Sequence, residues 1–169
     1  MRIGVREMDL ETLSAQLGER LLRRGFMLTT AESCTGGWVA QAVTAIPGSS
    51  QWFERGYVTY SNAAKEESLG VRPATLERMG AVSEATVREM AEGALAHSHA
   101  QVAVAVSGVA GPGGGSLEKP VGTVCLAWAA AGRETRAHCQ FFLGNREAVR
   151  RQAVEAALQG ILDLLHDHP

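Results

Sequence analysis

The chain has 169 residues, a formal net charge of −2 and 20% charged residues. This charge excludes a broad basic surface of the kind that holds nucleic acid, so any phosphate contact must be local. A chain of this length buries roughly two-thirds of its unfolded surface, and we expect residues 1–169 to form one domain.

The first half of the chain alternates helical and strand patterns. Leucines repeat at helical spacing after Asp9, which can cap a helix, and Gly25 follows as a stop signal. The glycine pair Gly36-Gly37 leads into a second helix, and Asn62 is placed to cap a third. The predicted elements of this half are a helix over 9–24, a strand over 26–31, a helix over 38–45, a strand over 55–61 and a short helix that carries Lys65.

The second half contains three further strands between two helices. Residues 101–107 are almost continuously apolar, which suits a strand in a sheet that is covered on both faces. A tight turn at Gly132 predicts an antiparallel hairpin between the last two strands. The predicted elements are a helix over 83–97, strands over 101–107, 121–130 and 134–143, and a final helix over 146–166. This order predicts an α/β layered domain with a mixed sheet of about five strands.

The cysteine pattern and the apolar runs indicate the cellular compartment. Cys34, Cys125 and Cys139 are an odd number without paired spacing, which argues against a disulfide framework. No His/Cys cluster has zinc spacing, and we expect neither a metal nor another cofactor. Residues 1–10 lack the apolar core of a signal peptide, and the longest apolar-rich run, 121–132, is too short to span a bilayer. We therefore expect a cytoplasmic chain that binds no membrane.

A serine stands where the first strand leads into the second helix. Such a position exposes a hydroxyl at the edge of the sheet, beside the unpaired N–H groups of a helix start. Ser33 is therefore a candidate nucleophile, and the backbone N–H groups from Cys34 to Gly37 are candidates to hold an oxyanion or a phosphate. The alternative is that Ser33 or Thr35 only caps the helix while the glycines form the turn.

A serine nucleophile needs a base, and Lys65 follows the next strand. A neutral lysine serves as that base if burial lowers its pKa from about 10.4 toward neutrality. Tyr60, at the end of the same strand, is a candidate to orient the lysine or to relay a proton. The alternatives are a solvated helix charge for Lys65 and an ordinary strand aromatic for Tyr60.

Two further segments are candidates for binding a ligand. The glycine-rich run of Ser107, Gly108, Ala110 and Gly111 leaves the carboxyl end of a buried strand, where ligands sit in α/β sheets. It matches neither a Walker A motif nor G-x-G-x-x-G, and it equally suits a plain turn. Arg146 stands at the start of the last helix, where a guanidinium and free N–H groups form an anion site. The alternative for Arg146 is a surface arginine.

In combination these segments resemble the CinA C-terminal domain family. The segments that carry the resemblance are AESCTGG at 31–37, Tyr60-Ser61-Asn62 with Lys65, SGVAGP at 107–112, PVGTV at 120–124 and Gly144-Asn145-Arg146. Asn145 is a departure, because the family often has aspartate before that arginine. The segments occur in the family's order over about residues 9–165, and their combination is highly specific.

The resemblance implies a three-layer α/β/α fold with a mixed five-stranded sheet. It implies hydrolysis of the carboxamide of nicotinamide mononucleotide to nicotinate mononucleotide and ammonia, by a Ser33–Lys65 pair with Tyr60 nearby. We expect residues 107–114 to wall the nucleotide and Arg146 to bind its phosphate. Some family members carry an additional N-terminal domain, and this chain is expected to start directly at the amidase-like domain. The expected partner is a small nucleotide and not a nucleic acid. Assembly into a homo-oligomer such as a dimer is an open possibility.

Two other functions fit the same residues. One is a nucleotide-binding or regulatory module without turnover, in which Ser33 is only a cap. The other is a serine amidase for a different small amide. Release of ammonia from the mononucleotide separates the first from the enzyme, and a panel of amide substrates separates the second.

Overall fold

A computed structural model describes residues 9–167 of the chain. Most of the N-terminal stretch that was searched for a signal peptide, residues 1–8, lies outside them, as do residues 168–169. The described part forms a sheet with helices on both faces, apart from a short 3₁₀ turn, Ser49–Gln51. Its helices and strands are α1 (Leu10–Arg24), β1 (Leu28–Glu32), α2 (Trp38–Thr44), β2 (Phe53–Val58), α3 (Asn62–Leu69), α4 (Pro73–Met79), α5 (Glu84–Ala96), β3 (Val102–Gly108), β4 (Thr123–Ala130), β5 (Arg136–Phe141) and α6 (Arg146–His166).

The α/β class and the mixed five-stranded sheet are confirmed, and three local predictions need correction. The strand predicted over 55–61 is β2 (Phe53–Val58), so Tyr60 follows the strand and does not lie in it. Helix α4 was not predicted; it is seven residues long and begins with Pro73, a residue suited to the first helical position. Ser61, not Asn62, caps α3, because its hydroxyl accepts the N–H of Ala64 at 3.0 Å. Asp9 caps α1 as predicted.

The order of strands places three strand ends side by side. The sheet runs β2-β1-β3-β4-β5, with β1 parallel to both β2 and β3. Strand β4 is antiparallel to β3 and to β5, as the hairpin prediction required. Because parallel strands end at the same edge, the residues after β1, β2 and β3 meet there. Glu32, the last residue of β1, pairs with Val58 on one side and Val106 on the other.

The two faces of the sheet carry side chains of different size. In β3, Val102, Val104 and Val106 lie in the core formed with α1, α2 and α6. The alternating residues Ala103 and Ala105 lie in the opposite core, formed mainly with α5. All five side chains are buried, which confirms that both faces of this strand are covered. Small residues on one face let α5 approach the sheet closely.

The expectation of no disulfide is wrong for one pair of cysteines. Cys125 in β4 lies directly opposite Cys139 in β5, and the two are joined by a disulfide. The pairing comes from the register of the hairpin, which a spacing of 14 residues does not reveal. Cys34 is free and buried. None of the helices between residues 9 and 167 is both long and apolar enough to cross a membrane.

A glycine in α5 tests how closely the helices pack. A Cβ at Gly93 would lie 1.8 Å from the carbonyl oxygen of Leu69, at the end of α3. Alanine normally stabilises a helix by about 1 kcal/mol relative to glycine. We expect Gly93→Ala to destabilise the fold instead, by about 1–3 kcal/mol, because the backbone of α3 must move.

Urea unfolding measures this change in the free energy of unfolding. Gly113→Ala is the control, since a Cβ there would meet nothing within 4 Å. Equal stability of Gly93→Ala and the wild-type chain would contradict the packing described.

Candidate active site

A cavity of about 320 Å³ lies at the carboxyl edge of the parallel strands. This volume falls in the range of small-molecule sites. The residues that line it come from the ends of β1, β2 and β3, from the loop after β3, from the segment before α5 and from the start of α6: Ser33, Cys34, Tyr60, Val82, Gly108, Val109, Ala110, Gly111, Gly113, Gly114 and Arg146. A larger groove of about 550 Å³ lies beside β5 and α6, but no serine, cysteine or lysine lines it.

Ser33 and Lys65 meet beside the cavity. The Nζ atom of Lys65 lies 3.0 Å from the Oγ atom of Ser33, within the reach of a proton transfer. The same Nζ donates to the carbonyl oxygen of Thr59 at 2.8 Å, and this second contact fixes the direction of the amine. Two residues 32 positions apart in the sequence are therefore brought together, as the resemblance implied.

The lysine amine is withdrawn from water. Lys65 is only 2% exposed, and none of the described ion pairs includes it. Burial lowers the pKa of Lys65, since desolvation disfavours the charged ammonium, and this outweighs an opposing effect of Cys34. Lowering the pKa raises the fraction of neutral amine, which is the form that accepts a proton from a serine hydroxyl.

The helix start after Ser33 is capped by a residue that sequence reasoning missed. Glu32 is 1% exposed, and its carboxylate accepts the N–H groups of Val39 at 2.8 Å and Ala40 at 3.1 Å. It also accepts the hydroxyl of Thr35 at 2.7 Å. The reading of Ser33 or Thr35 as the helix cap is therefore wrong. These first N–H groups of α2 are bound to Glu32 and do not face a ligand.

The turn after Ser33 leaves three N–H groups without a hydrogen bond to another described residue. The N–H of Gly36 bonds to the carbonyl of Ser33 at 3.0 Å, and Gly37 adopts a φ of +101° at the start of α2. The N–H of Ser33 bonds to Val106 in β3 at 2.9 Å. The N–H groups of Cys34 and Thr35 make no hydrogen bond to another residue in the range 9–167. The N–H of Gly37 has no such bond within this range either. Of these three residues of the predicted oxyanion segment, Cys34 lines the cavity, whereas Thr35 is buried.

A second missed residue, Arg150, contacts the other side of this turn. Its Nε donates to the carbonyl of Cys34 at 3.0 Å, and an Nη donates to the carbonyl of Thr35 at 3.2 Å. The guanidinium lies 5.6 Å from the ring centre of Trp38, in the range of a cation–π contact. The sequence offered little signal, since Arg150 lies more than 110 residues away from the turn it contacts.

The thiol next to Ser33 is a poor alternative nucleophile. Burial raises the pKa of Cys34 to about 11, so the thiol stays protonated at neutral pH. The reactive form of a cysteine is the thiolate, and very little of it is present here. The structure therefore favours the serine over its neighbour.

Tyr60 and Arg146 meet at the opposite wall of the cavity. An Nη of Arg146 donates to the hydroxyl of Tyr60 at 3.1 Å, and the other Nη donates to the carbonyl of Gly111 at 2.8 Å. Within the described chain, the tyrosine hydroxyl has no hydrogen bond to Lys65 or Ser33. Both side chains are exposed, and Asn145 caps the helix that Arg146 begins. This arrangement places a guanidinium and a phenol together at the mouth of the site.

The glycine-rich segment forms the third wall. Gly108 ends β3, and Ala110 and Gly111 follow it along the cavity. Ser107 is 1% exposed within β3 and is not among the residues that line the cavity. In the segment 9–167, no three His, Cys, Asp or Glu side chains are grouped to hold a metal ion.

The family model of the CinA C-terminal domain matches residues 10–165. The chain belongs to this family. Among its relatives, a nicotinamide-nucleotide amidohydrolase PncC from Escherichia coli K12 is 60% identical over an alignment of 153 residues, which covers 89% of this chain and 92% of that protein. A protein of the same name from Pseudomonas putida is 57% identical, over 92% of this chain and 96% of its own length.

Solved CinA structures share the fold over almost the full chain. The competence damage-inducible protein A from Klebsiella pneumoniae superposes with a TM-score of 0.92 at 42% identity, covering 96% of this chain and 100% of its own. A competence/damage inducible protein from Agrobacterium tumefaciens gives 0.90 at 45% identity, covering 96% and 99%.

The buried amine of this CinA domain predicts a dependence of stability on pH. The folded state lowers the pKa of Lys65 below its ordinary value of 10.5, so unfolding takes up a proton at pH values between the two. The wild-type chain should therefore become more stable as pH rises across that window. Lys65→Met removes this titration, and we expect the difference in unfolding free energy between variant and wild type to shift in favour of wild type as pH rises.

Urea unfolding of both proteins from pH 6 to pH 10 measures the two slopes. Comparing the slopes of unfolding free energy against pH isolates the titration of Lys65. The two hydrogen bonds that methionine also removes change the level of the curve and not this slope. Parallel curves would show that Lys65 keeps its ordinary pKa in the folded chain.

Proposed function

We propose that this chain hydrolyses the carboxamide of a nicotinamide nucleotide, releasing ammonia and leaving the nicotinate nucleotide. The observation that carries the proposal is the 3.0 Å contact between the buried Lys65 amine and Ser33 beside a small-molecule cavity. The names of relatives at 57–60% identity supply the substrate class.

A cytoplasmic location is part of the proposal, and the Cys125–Cys139 disulfide counts against it, because disulfides are rare in that compartment.

The first half of the reaction transfers the acyl group to the enzyme. The neutral amine of Lys65 takes the proton of Ser33, and Oγ attacks the carboxamide carbon. Negative charge develops on the amide oxygen, and the N–H groups of Cys34 and Thr35 are the proposed donors to it. The carbon–nitrogen bond breaks, and the proton held by Lys65 passes to the leaving nitrogen, which departs as ammonia.

The second half returns the enzyme to its starting state. Water attacks the ester carbon, Lys65 takes a proton from that water, and the same oxyanion donors act again. The ester bond breaks, and Ser33 recovers its proton from the lysine while the nicotinate product leaves. A proton relay through Tyr60 stays a prediction, and the hydrogen bond of this tyrosine to Arg146 supports a place near the substrate's phosphate instead.

The catalytic pair gives the first test of the proposal. Ser33→Ala and Lys65→Ala should each lower kcat for ammonia release from nicotinamide mononucleotide by at least about 10³-fold. The double variant should be little worse than either single variant, because residues that act as one unit give non-additive losses. An ammonia assay with purified proteins measures all three.

Cys34→Ala is the matched comparison at the adjacent position. It keeps the backbone N–H and removes only a thiol that is protonated at neutral pH, so most of the activity should remain. Wild-type turnover by Ser33→Ala would remove the serine from the mechanism. Binding of the mononucleotide by the wild-type chain without ammonia release would instead support a non-catalytic module.

Recognition of the phosphate gives a second test. Among the described residues, Arg146 uses two of its five N–H donors on protein atoms, which leaves three at the mouth of the cavity. A charge-assisted hydrogen bond is worth about 1.5–3 kcal/mol, which corresponds to roughly tenfold to 150-fold in binding. Nicotinamide riboside, which lacks the phosphate, should therefore be a much poorer substrate than the mononucleotide.

Arg146→Ala should narrow this preference by damaging the mononucleotide reaction and sparing the riboside reaction. The measurement is kcat/KM for both substrates with both proteins, so each substrate serves as the control for the other. An equal loss for both substrates would show that Arg146 has a structural or catalytic role, and the phosphate site would then be sought among the amides of residues 107–114.

A further inference from the structure

We propose that Arg150 is a positioning residue for the reaction, holding the carbonyl side of the Ser33–Gly37 turn so that its free N–H groups are set for the oxyanion. The inference rests on the proposed amide hydrolysis. Arg150 is half-buried and does not line the cavity, so it acts through the turn and not by touching the substrate.

The three carbonyls at the start of the turn are all occupied. The carbonyl of Ser33 accepts the N–H of Gly36 at 3.0 Å. The carbonyls of Cys34 and Thr35 accept the two arms of the Arg150 guanidinium at 3.0 and 3.2 Å. A rotation of any of these peptide planes would break one of these hydrogen bonds.

Fixing a carbonyl also fixes the N–H of the same peptide. In a trans peptide the C=O and N–H bonds lie in one plane and point in opposite directions. The carbonyl of Ser33 therefore sets the direction of the Cys34 N–H, and the carbonyl of Cys34 sets that of Thr35. Neither N–H donates a hydrogen bond to another residue in the described chain. Arg150 thus controls one of the proposed oxyanion donors through its own peptide plane.

The charge of Arg150 strengthens the same donor. A cation on a carbonyl oxygen polarises the peptide and makes its N–H a better hydrogen-bond donor. The planar guanidinium fits two neighbouring oxygens, which a single ammonium does not match. The contact with Trp38 and the position on α6 hold the guanidinium in place.

Helix α6 delivers two arginines to different parts of the site. Arg146 and Arg150 are four residues apart and lie on the same face of the helix. Arg146 reaches the mouth of the cavity, whereas Arg150 reaches the turn beneath it. On the opposite end of the turn, Glu32 binds the first N–H groups of α2. The turn is therefore held by an anion at its N–H end and by a cation on its carbonyls.

The test compares steady-state kinetics of Arg150→Lys and Arg150→Met with the wild-type chain. Loss of a whole oxyanion donor costs about 10²–10³ in rate, so misalignment of one donor should lower kcat by about tenfold to hundredfold. KM should stay within about twofold, because an interaction made only in the transition state leaves substrate binding unchanged. Arg150→Lys keeps the charge, and it serves as the folded variant if Arg150→Met does not fold.

A second readout does not depend on turnover. An alkyl fluorophosphonate phosphonylates an activated serine: the Ser33 Oγ–phosphorus bond forms, fluoride leaves and Lys65 takes the proton. The phosphoryl oxygen then occupies the oxyanion position, so the rate of labelling should fall in the Arg150 variants by a factor similar to that in kcat. Arg23→Lys is the control, because it makes the same chemical change at an exposed side chain of α1, outside the site.

The outcomes separate this inference from the proposed function. Wild-type kinetics and labelling in Arg150→Lys and Arg150→Met would overturn the inference, and so would a rise in KM at unchanged kcat. If the wild-type chain releases no ammonia from the mononucleotide, the proposed function fails, and the labelling rates still test Arg150 against Ser33.

Discussion

The contact between Lys65 and Ser33 depends on keeping an amine out of water without giving it a carboxylate partner. Such a partner would hold the lysine protonated, and burial alone lowers its pKa. The sheet provides the arrangement. The N–H of Thr59 donates to the backbone carbonyl of Glu32 at 2.8 Å, and the carbonyl of Thr59 accepts the amine of Lys65. One residue after β2, Thr59, therefore links the strand that leads to the serine to the side chain of the base.

The turn between β1 and α2 has to leave donors unbound while staying rigid. Glu32 satisfies the first N–H groups of α2 and places a negative charge at the positive end of the helix, where it is stabilised. The common expectation that a helix start binds the anion is therefore not met by the helix itself. The available donors lie earlier, in the turn, where side chains from β1 and α6 hold the backbone.

Much of this arrangement could be predicted from the sequence, because the signals are local or lie in specific motifs. The bounds of α6 follow from its apolar spacing, and the Ser33–Lys65 pair followed from the family resemblance. Helix α4 is too short to show a period. Arg150 and the Cys125–Cys139 pair depend on which distant segments meet, and a charged residue such as Glu32 is ordinarily expected in water. Those contacts are properties of the packed fold and not of any window of sequence.

The alanine face of the sheet has a consequence for the reacting atoms. Helix α3, which carries Lys65, ends at Leu69 against Gly93 of α5, and α5 rests on the alanines of β3. The position of the base therefore depends on this close backbone contact and on the packing of α5 against the sheet. A displacement of about 1 Å at a reacting group can cost 10²-fold in rate. On the proposed mechanism, the volume of the small residues in this core is constrained by the Lys65–Ser33 distance as well as by stability.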